Sequence, residues 1–312
     1  MKKIIITGGA GFIGSHLVER LLKEGNEVIV LDNFSTGRKV NLSKYKDNAQ
    51  LTMLDRDVID NIELSGIDEI YHLACPASPQ HYQADPVHTL KTNFIGTLNM
   101  LELAKKNNAK ILLASTSEIY GDPLEHPQRE TYKGNVNTVG PRSCYDEGKR
   151  VAESLAYEFK QMDVDVKVVR IFNTYGPRMN FEDGRVVSNF VLQALQNQPI
   201  TMFGDGTQTR SFCFVSDLLD GFLAMMSKSD FFGPVNLGNP SELTMLEIAE
   251  KIIALTASNS KIEFKDLPKD DPTKRKPDIS LAKEMLGFEP KVSLDEGLKM
   301  IISDFKERLT NK

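Results

Sequence analysis

The stretch "TGGAGFIG" (residues 7–14) follows the apolar run "KIIIT" (3–7) and precedes a helical pattern. It places Gly8, Gly11 and Gly14 at three-residue spacing. Glycines at these positions permit a tight turn after a strand and let the backbone amides at a helix N-terminus approach a pyrophosphate. The alternative is a glycine-rich helix start without a ligand, so the residues that follow must decide.

An acidic residue at the end of the next strand favours a dinucleotide site. The run "VIVL" (28–31) leads into Asp32, where a carboxylate can accept hydrogen bonds from the adenosine ribose and repel a 2′-phosphate. The order of strand, turn, helix and acid therefore predicts NAD rather than NADP as the cofactor, and the nearby Arg38 moderates this preference. Asp57, after the third strand, either holds the adenine or is an ordinary loop acid.

The first half of the chain alternates short strand patterns with helical patterns. Further strands are predicted at 51–54, 70–74, 110–115 and 166–172, with a long helix over 86–106 between them. This alternation is typical of an α/β fold with a Rossmann-type, doubly wound parallel sheet. The pattern becomes irregular after residue 172. We therefore predict an NAD-binding Rossmann domain over 1–172 and a smaller, mainly substrate-binding C-terminal lobe over 173–312, interleaved with the first.

Composition excludes several classes of protein. The chain has 312 residues and a net charge of −5, so no general basic surface for nucleic acid is expected. The opening residues begin like a signal peptide, but the apolar run stops at Gly8, and no segment approaches the ~20 apolar residues of a membrane span. Three cysteines without a CxxC pair and five histidines without ligand spacing favour neither a disulfide framework nor a metal site. We expect a soluble, cytoplasmic protein.

A possible proton-transfer pair lies in "CYDEGKR" (144–150), where Tyr145 and Lys149 are about one helical turn apart. An ammonium on the same helix face would stabilise a phenolate and make the tyrosine a usable base. Such a pair also arises by chance, so its surroundings must agree. The strand over 110–115 runs into "TSE", which is expected at the carboxyl edge of the sheet, where ligands bind. Turn and capping chemistry is the alternative for these residues.

Together, the glycine-rich turn, the Ser/Thr after the fifth strand and Tyr-x-x-x-Lys resemble the extended short-chain dehydrogenase/reductase family over nearly the whole chain. Longer segments are similar to its UDP-glucuronate decarboxylase subgroup, which forms UDP-xylose. These are "HLACPASP" (72–79), "TLKTNFIGTLNML" (89–101), "STSEIYGDP" (115–123), "GPRSCYDEGKRVAE" (140–153), "RIFNTYGPRM" (170–179), "DGRVVSNF" (183–190) and "GDGTQTRSFCFVSDL" (204–218). Lys133 departs from the subgroup, which usually has a tryptophan before "GNVN" (134–137).

The resemblance implies site residues and partners. Its catalytic residues would be Thr116, Glu118, Tyr145, Lys149 and Arg210. The NAD site would comprise Gly8, Gly11, Phe12, Ile13, Gly14, Asp32, Asn33, Phe34, Thr36, Gly37, Asp57, Val58, Leu73, Ala74, Thr92, Tyr145 and Lys149. UDP-glucuronate would contact Lys91, Ser117, Glu118, Asn173, Arg178, Arg185, Thr201, Phe203, Arg210 and Arg275. A homodimer paired through helices near 90–106 and 145–162 is also implied.

Some roles stay open at this point. Arg210 either grips the pyrophosphate or acts near the sugar carboxylate and C5, and both uses suit a rigid bidentate donor. Each of the other arginines has a surface ion pair as its alternative. For the whole chain, the nearest rivals are a nucleotide-sugar 4-epimerase and a 4,6-dehydratase, although Ser117 stands where a dehydratase would carry Asp. A non-catalytic NAD-sensing regulator is the alternative outside enzymes.

Overall fold

The computed structural model describes residues 1–267 and 274–311. In these ranges the strands are β1 (Lys3–Thr7), β2 (Glu27–Asp32), β3 (Leu51–Asp55), β4 (Glu69–His72), β5 (Lys110–Thr116), β6 (Val166–Ile171), β7 (Thr174–Tyr175), β8 (Ile200–Phe203), β9 (Thr209–Ser211), β10 (Cys213–Phe214), β11 (Val235–Leu237), β12 (Glu242–Thr244), β13 (Ile262–Lys265) and β14 (Lys274–Arg275).

The helices in the same ranges are α1 (Phe12–Lys23), α2 (Pro79–Tyr82), α3 (Pro86–Lys91), α4 (Thr97–Asn107), α5 (Ser143–Gln161), α6 (Val186–Leu195), α7 (Val215–Ser227), α8 (Met245–Thr256), α9 (Ser280–Leu286) and α10 (Leu294–Thr310). Short 3₁₀ segments cover Lys39–Tyr45 and Ser117–Tyr120, and a π-helical turn covers Thr92–Gly96. No helix in the described ranges combines the length and the apolar character that a bilayer crossing requires.

The central sheet contains seven parallel strands in the order β11-β6-β5-β4-β1-β2-β3. The chain builds outward from β1 to β3 and then crosses to the other side of β1 at β4. This reversal is the doubly wound arrangement, so the predicted fold class is confirmed. Ligands of such sheets bind outside the carboxyl ends of the strands, at the point where the strand order reverses.

Helices cover both faces of the sheet, as the apolar strand sequences require. On β1, Ile4 and Ile6 pack on the face covered by α1 and α7, whereas Ile5 packs on the face covered by α4 and α5. Successive side chains of a strand point to opposite faces, so an uninterrupted isoleucine run fills both layers. The result is a rigid platform whose carboxyl edge carries the loops discussed below.

A second core lies in the C-terminal lobe, where α6, α8 and α10 pack together through Val191, Ile248 and Ile301. Between these helices the chain returns to the first core, because Phe222 of α7 packs on the central sheet and Val235 lies in β11, an edge strand of that sheet. The chain therefore passes between the two cores more than once. The boundary at residue 172 stays a prediction.

Two predicted elements are divided in the structure. The helix predicted over 86–106 consists of α3, the π-helical turn and α4. Gly96 ends this turn against Val58, where a Cβ would lie 2.5 Å from Val58 Cγ2. The strand pattern at 211–215 is also divided, because β9 ends at Ser211, β10 covers only Cys213 and Phe214, and Val215 already begins α7.

Candidate active site

A cavity of about 730 Å³ runs along the carboxyl edge of the sheet and is closed on its far side by the C-terminal lobe. Both lobes therefore line it. Among the residues implied by the resemblance, those in the cavity wall are Gly8, Gly11, Phe12, Ile13, Gly14, Asp32, Asn33, Thr36, Gly37, Asp57, Val58, Leu73, Ala74, Thr92, Thr116, Ser117, Glu118, Tyr145, Lys149, Asn173, Arg178, Arg185, Phe203, Arg210 and Arg275.

Three of the implied residues lie outside this wall. Phe34 donates its backbone N–H to Asp32 and packs toward the sheet core, under the ammonium of Lys39. Lys91 is exposed at the end of α3. Thr201 is held by the side-chain amide of Gln193, which donates to its hydroxyl at 3.0 Å and accepts its backbone N–H at 3.1 Å.

The glycine turn between β1 and α1 forms the cradle that the sequence predicts. A Cβ on Gly14 would lie 2.2 Å from the carbonyl oxygen of Gly8, and Gly8 itself has a φ of +69°. Only glycine lets α1 begin this close to the strand. Gly11 caps α1 without a side-chain hydrogen bond, so the first amides of the helix face the cavity. These features fit the pyrophosphate of a dinucleotide.

Asp32 closes the next part of the cradle. Its carboxylate accepts the backbone N–H of Ala10 at 2.9 Å and that of Phe34 at 2.8 Å. Gly37 passes so close that a Cβ there would lie 2.7 Å from the carboxylate oxygens. Burial raises the pKa of Asp32, and the two backbone hydrogen bonds oppose this rise. A fixed, amide-bound carboxylate at the end of β2 suits a ribose diol.

Asp57 belongs to a small polar group at the other end of the cradle. Its carboxylate accepts a hydrogen bond from the Asn33 side chain at 2.6 Å and lies 3.3 Å from Nε2 of His88. All three residues line the cavity. His88 was not predicted from the sequence, because its place at this site depends on how α3 packs against the loop after β3.

Tyr145 and Thr116 meet at the centre of the cavity, where their hydroxyl groups are hydrogen-bonded. Lys149 donates from Nζ to the carbonyl oxygen of Ala114 at 2.9 Å, and this nitrogen lies 6.0 Å from the centroid of the Tyr145 ring. Burial lowers the pKa of Lys149. The Tyr–Lys pair predicted from spacing is therefore brought to the end of β5, but the two side chains do not touch in the chain alone.

The pKa of Tyr145 differs from the sequence-based expectation. The spacing to Lys149 predicts a lowered pKa, whereas burial in the structure raises the pKa of Tyr145 well above its usual range, and the hydrogen bond from Thr116 only partly opposes this. The physical reason is desolvation, which disfavours a phenolate in an apolar pocket. The lysine by itself does not make the tyrosine a base.

The ring of Tyr82 explains much of that pocket. It stacks on the Tyr145 ring with centroids 5.0 Å apart and planes within 7° of parallel. Tyr82 is buried, lines the cavity, and its hydroxyl has no hydrogen-bond partner among the described residues. It belongs to α2, a single turn for which the sequence predicts no role. A stacked neighbour fixes the plane of the Tyr145 ring.

Glu118 lies beside Tyr145 and is held by two arginines. Its Oε2 is 2.5 Å from Nη2 of Arg142 and 3.1 Å from Nη2 of Arg275. Burial would raise the pKa of Glu118, but Arg275 and Arg142 hold it at about 2. The carboxylate is therefore ionised at neutral pH, and two positively charged side chains pair with its single negative charge. Arg142 was missed in the sequence, although it lies one turn before Tyr145 in the same helical pattern.

Two further arginines in the cavity, Arg178 and Arg185, already have acidic or carbonyl partners. Arg178 pairs with Glu19 and donates to the carbonyl oxygen of Ser15 at 3.0 Å. Arg185 forms a two-point ion pair with Asp183. Ion pairs of this kind are the alternative role that the sequence leaves open for these arginines, yet both residues also line the cavity. A diphosphate would share them with their acids.

The profile of the NAD dependent epimerase/dehydratase family matches residues 4–238, which include the cradle, Thr116, Tyr145 and Lys149. The chain belongs to this family. The cofactor of this family is NAD, as predicted from Asp32. The family resemblance inferred from the motifs is confirmed.

Relatives within the family show which subgroup this chain resembles. UDP-glucuronic acid decarboxylase 1 of Arabidopsis thaliana is 58% identical over 311 residues, which cover 99% of this chain and 71% of the relative. UDP-glucuronic acid decarboxylase 1 of Danio rerio is 54% identical over 312 residues, which cover 100% of this chain and 74% of the relative. Both alignments extend through the C-terminal lobe, beyond the part matched by the family profile.

Solved structures of family members have the same fold. The UDP-glucose 4-epimerase of Thermotoga maritima, solved with UDP-glucose, superposes with a TM-score of 0.90 at 32% identity and covers 98% of this chain and 99% of its own. The UDP-glucuronic acid 4-epimerase of Bacillus cereus, in complex with UDP-glucuronic acid and NAD, gives 0.88 at 29% identity, with 98% and 99% coverage. Decarboxylase and epimerase therefore cannot be separated by fold, and the site must do so.

Proposed function

We propose that the protein converts UDP-glucuronate to UDP-xylose and CO2, with NAD regenerated in each cycle through a UDP-4-keto intermediate. The observation that carries this proposal is Glu118, an ionised carboxylate clamped by Arg142 and Arg275 next to the Tyr145 hydroxyl. Two cations and one fixed anion form a site with a net positive charge beside a proton-transfer group. Such a site can accept a second carboxylate, that of the sugar acid. The identity to UDP-glucuronic acid decarboxylases supports the same reaction.

The glycine turn, Asp32 and Lys149 would hold NAD, whose chemistry when bound is the reversible two-electron oxidation of the sugar at C4. Tyr145 takes the C4 hydroxyl proton, and Thr116 keeps the two oxygens in hydrogen-bonding reach of each other. Tyr145 needs a positive charge beyond Lys149 before it can act as a base, since burial alone raises its pKa. The cationic nicotinamide of NAD is such a charge.

A ketone at C4 lies β to the C6 carboxylate. The C5–C6 bond then breaks, its electron pair delocalises into the C4 carbonyl, and C6 leaves as CO2. We assign the positioning of the acid to Arg275 and Arg142, and the orientation of the ring or of a water near C5 to Glu118. C5 takes up one proton, C4 is reduced again, and Tyr145 returns its proton to the C4 oxygen. Tyr145 thus serves first as base and then as acid.

The strand register places Arg210 beside Arg275. Arg210 pairs with Arg275 across β9 and β14, so the two side chains leave neighbouring strands of one small sheet on the same face. We propose that Arg275 acts at the carboxylate and that Arg210 grips the adjoining pyrophosphate. The remaining diphosphate contacts fall to Arg178 and Arg185. Phe203, 43% exposed at the cavity wall, would flank the uracil.

We also propose a cytoplasmic homodimer. The helices expected to pair carry exposed apolar side chains, with Leu90 at 42%, Phe94 at 45% and Tyr157 at 52% exposure. Covering such side chains on α3, the π-helical turn and α5 removes apolar area from water. Sedimentation of the protein tests this, and a monomer at micromolar concentration would contradict it.

One incubation tests the function. The protein, NAD and UDP-glucuronate are mixed, and the nucleotide sugar is weighed by mass spectrometry while CO2 is collected. We expect UDP-xylose and CO2 in equal amounts, with no lasting rise in reduced-cofactor absorbance. A product that has the mass of UDP-glucuronate but separates from it by chromatography would establish the epimerase instead, and loss of water the dehydratase. NAD binding without any conversion would favour the regulator.

A further inference from the structure

Asp146 is a buried acid that the mechanism above does not use. It lies in the first turn of α5, directly after Tyr145, and is 5% exposed. Its Oδ2 lies 3.9 Å from Nε of Arg142, and its Oδ1 has no hydrogen-bond partner among the described residues. An ionised carboxylate with a buried, unpaired oxygen is costly, and a protonated one much less so.

Arg142 connects this acid to the cavity. Its Nη2 binds Glu118 at 2.5 Å on one side, while its Nε faces Asp146 on the other. Arg142 and Glu118 line the cavity, whereas Asp146 does not. Asp146 therefore stands behind the arginine and can reach a ligand only through it.

The charges around Asp146 are nearly balanced. The titratable and charged groups that face it are the carboxyls of Glu118 and Glu147, the guanidinium groups of Arg142 and Arg275, the hydroxyls of Tyr82 and Tyr145, and the thiol of Cys144. Burial and Glu118 raise the pKa of Asp146 to about 7, although Arg142 and Arg275 oppose them. Glu147 already pairs with Arg150, so with Asp146 protonated the two arginines exceed Glu118 by one charge. With Asp146 ionised, that excess is gone.

We propose that Asp146 is a positioning residue for the sugar carboxylate: when protonated it leaves Arg142 to bridge Glu118 and the substrate acid, and when ionised it competes for the guanidinium and repels that acid. This inference rests on the proposed function, because it assumes that a carboxylate enters beside Arg142. It adds a pH-dependent selection between substrate and product, which differ only in that carboxylate.

The substrate–product pair provides the test. The Tyr145→Phe protein is used with NAD bound, because this variant avoids turnover. Isothermal titration calorimetry measures the Kd of UDP-glucuronate and of UDP-xylose at about pH 6 and at about pH 8. A group with a pKa of about 7 is roughly one-tenth protonated at the higher pH, so the Kd of UDP-glucuronate should rise about tenfold. The Kd of UDP-xylose should change less than about twofold, because it shares the diphosphate but lacks the acid.

Asp146→Asn, made in the same background, keeps the shape of the side chain and removes its titration. The Kd of UDP-glucuronate should then change less than about twofold across the same pH range. Glu147→Gln is the matched control, since Glu147 is the next acid on α5, pairs with Arg150 at 3.6 Å, and should leave the tenfold rise in place. A slope that persists in Asp146→Asn, or that is equal for both sugars, overturns the proposal.

Failure of this inference and failure of the proposed function give different results. If the chain does not decarboxylate, the incubation with Tyr145 intact yields no CO2 at either pH. If CO2 is released but the Kd of UDP-glucuronate is the same at both pH values, the function stands and Asp146 has no part in binding. Should Asp146→Asn not fold, the comparison of the two sugars in the parent protein still decides.

Discussion

Nη2 of Arg275 lies 3.1 Å from Oε2 of Glu118, which joins β14 of the C-terminal lobe to the turn that follows β5. The two residues are far apart in the chain, and Arg275 is only 1% exposed. Arg275 also donates to the carbonyl oxygen of Ser117. One side chain therefore closes the cavity and fixes its central carboxylate.

Arg275→Ala should destabilise the protein and stop decarboxylation. Removing Arg275 leaves Glu118 with one buried partner, Arg142, instead of two, and takes a donor from the Ser117 carbonyl oxygen. The expected loss is therefore about 3 kcal/mol of unfolding free energy, the lower end of the range for breaking a buried ion pair. Urea unfolding measures this. Arg129→Ala is the control, because the Arg129–Asp278 pair at 3.3 Å involves an arginine side chain that is 69% exposed, and its loss should cost less than about 1 kcal/mol. Similar losses in the two variants would mean that the Glu118 clamp is not a structural tie.

Tyr145→Phe should lower the rate of UDP-glucuronate conversion by about 10²–10⁴-fold, which is the usual contribution of a positioned acid–base group. The Tyr82 stack and the fold are kept, so substrate affinity should change little. Single-turnover mixing with NAD checks both quantities. No oxidised sugar should form, since the first proton cannot leave. Normal turnover in this variant would remove Tyr145 from the mechanism.

Asp32→Ala should weaken NAD binding by about tenfold, the loss expected for a hydrogen bond to a charged group. It should also reduce the difference in affinity between NAD and NADP. Titration of both cofactors measures this. Asp55→Ala is the matched control, because Asp55 is the register partner of Asp32 on β3 and its side chain is 66% exposed. Equal affinity for NAD and NADP in the unmutated protein would contradict the role of Asp32.

Acid should destabilise the fold through Glu19. Burial would raise the pKa of Glu19, but Lys23 and Arg178 hold it at about 2. A folded-state pKa below the unfolded one gives stability that is present above about pH 4.5 and is lost as the pH falls toward about 2. Glu19→Gln should remove about 1–2 kcal/mol of that pH dependence, since solvent reaches part of the cluster.

Urea unfolding at about pH 5 and about pH 3 measures the effect. Glu24→Gln serves as control, because Glu24 is 43% exposed and pairs only with Arg20 among the ion pairs of the described residues. An unchanged difference between the two pH values in Glu19→Gln would show that its carboxylate is not tied to the fold.

The residues that the sequence assigns to the cofactor lie together in one cavity because their determinants are local. The glycine spacing, the acid that ends β2 and the Tyr-x-x-x-Lys turn each lie within one strand–loop–helix unit. The sheet order then brings these units to one edge, so Gly14, Asp32 and Tyr145 line one cavity. Patterns of this kind can be recognised from the sequence without knowledge of distant contacts.

The sugar half could be predicted only in part, because long-range packing decides it. Arg142, Glu118 and Arg275 come from three separate elements, and no spacing in the chain links them. Burial also reverses the expected pKa shift of Tyr145, and a partner on α6 holds Thr201 outside the cavity wall. Neither desolvation nor a tertiary hydrogen bond can be read from a local motif.

The stack of Tyr82 on Tyr145 has an optical consequence. The protein contains no tryptophan, so no indole signal hides its tyrosines. Two parallel phenol rings with centroids 5.0 Å apart are close enough for their electronic transitions to couple, and such coupling contributes to circular dichroism in the near ultraviolet. A sugar nucleotide that enters beside these rings should perturb this signal, which gives the catalytic end of the cavity a built-in reporter that needs no label.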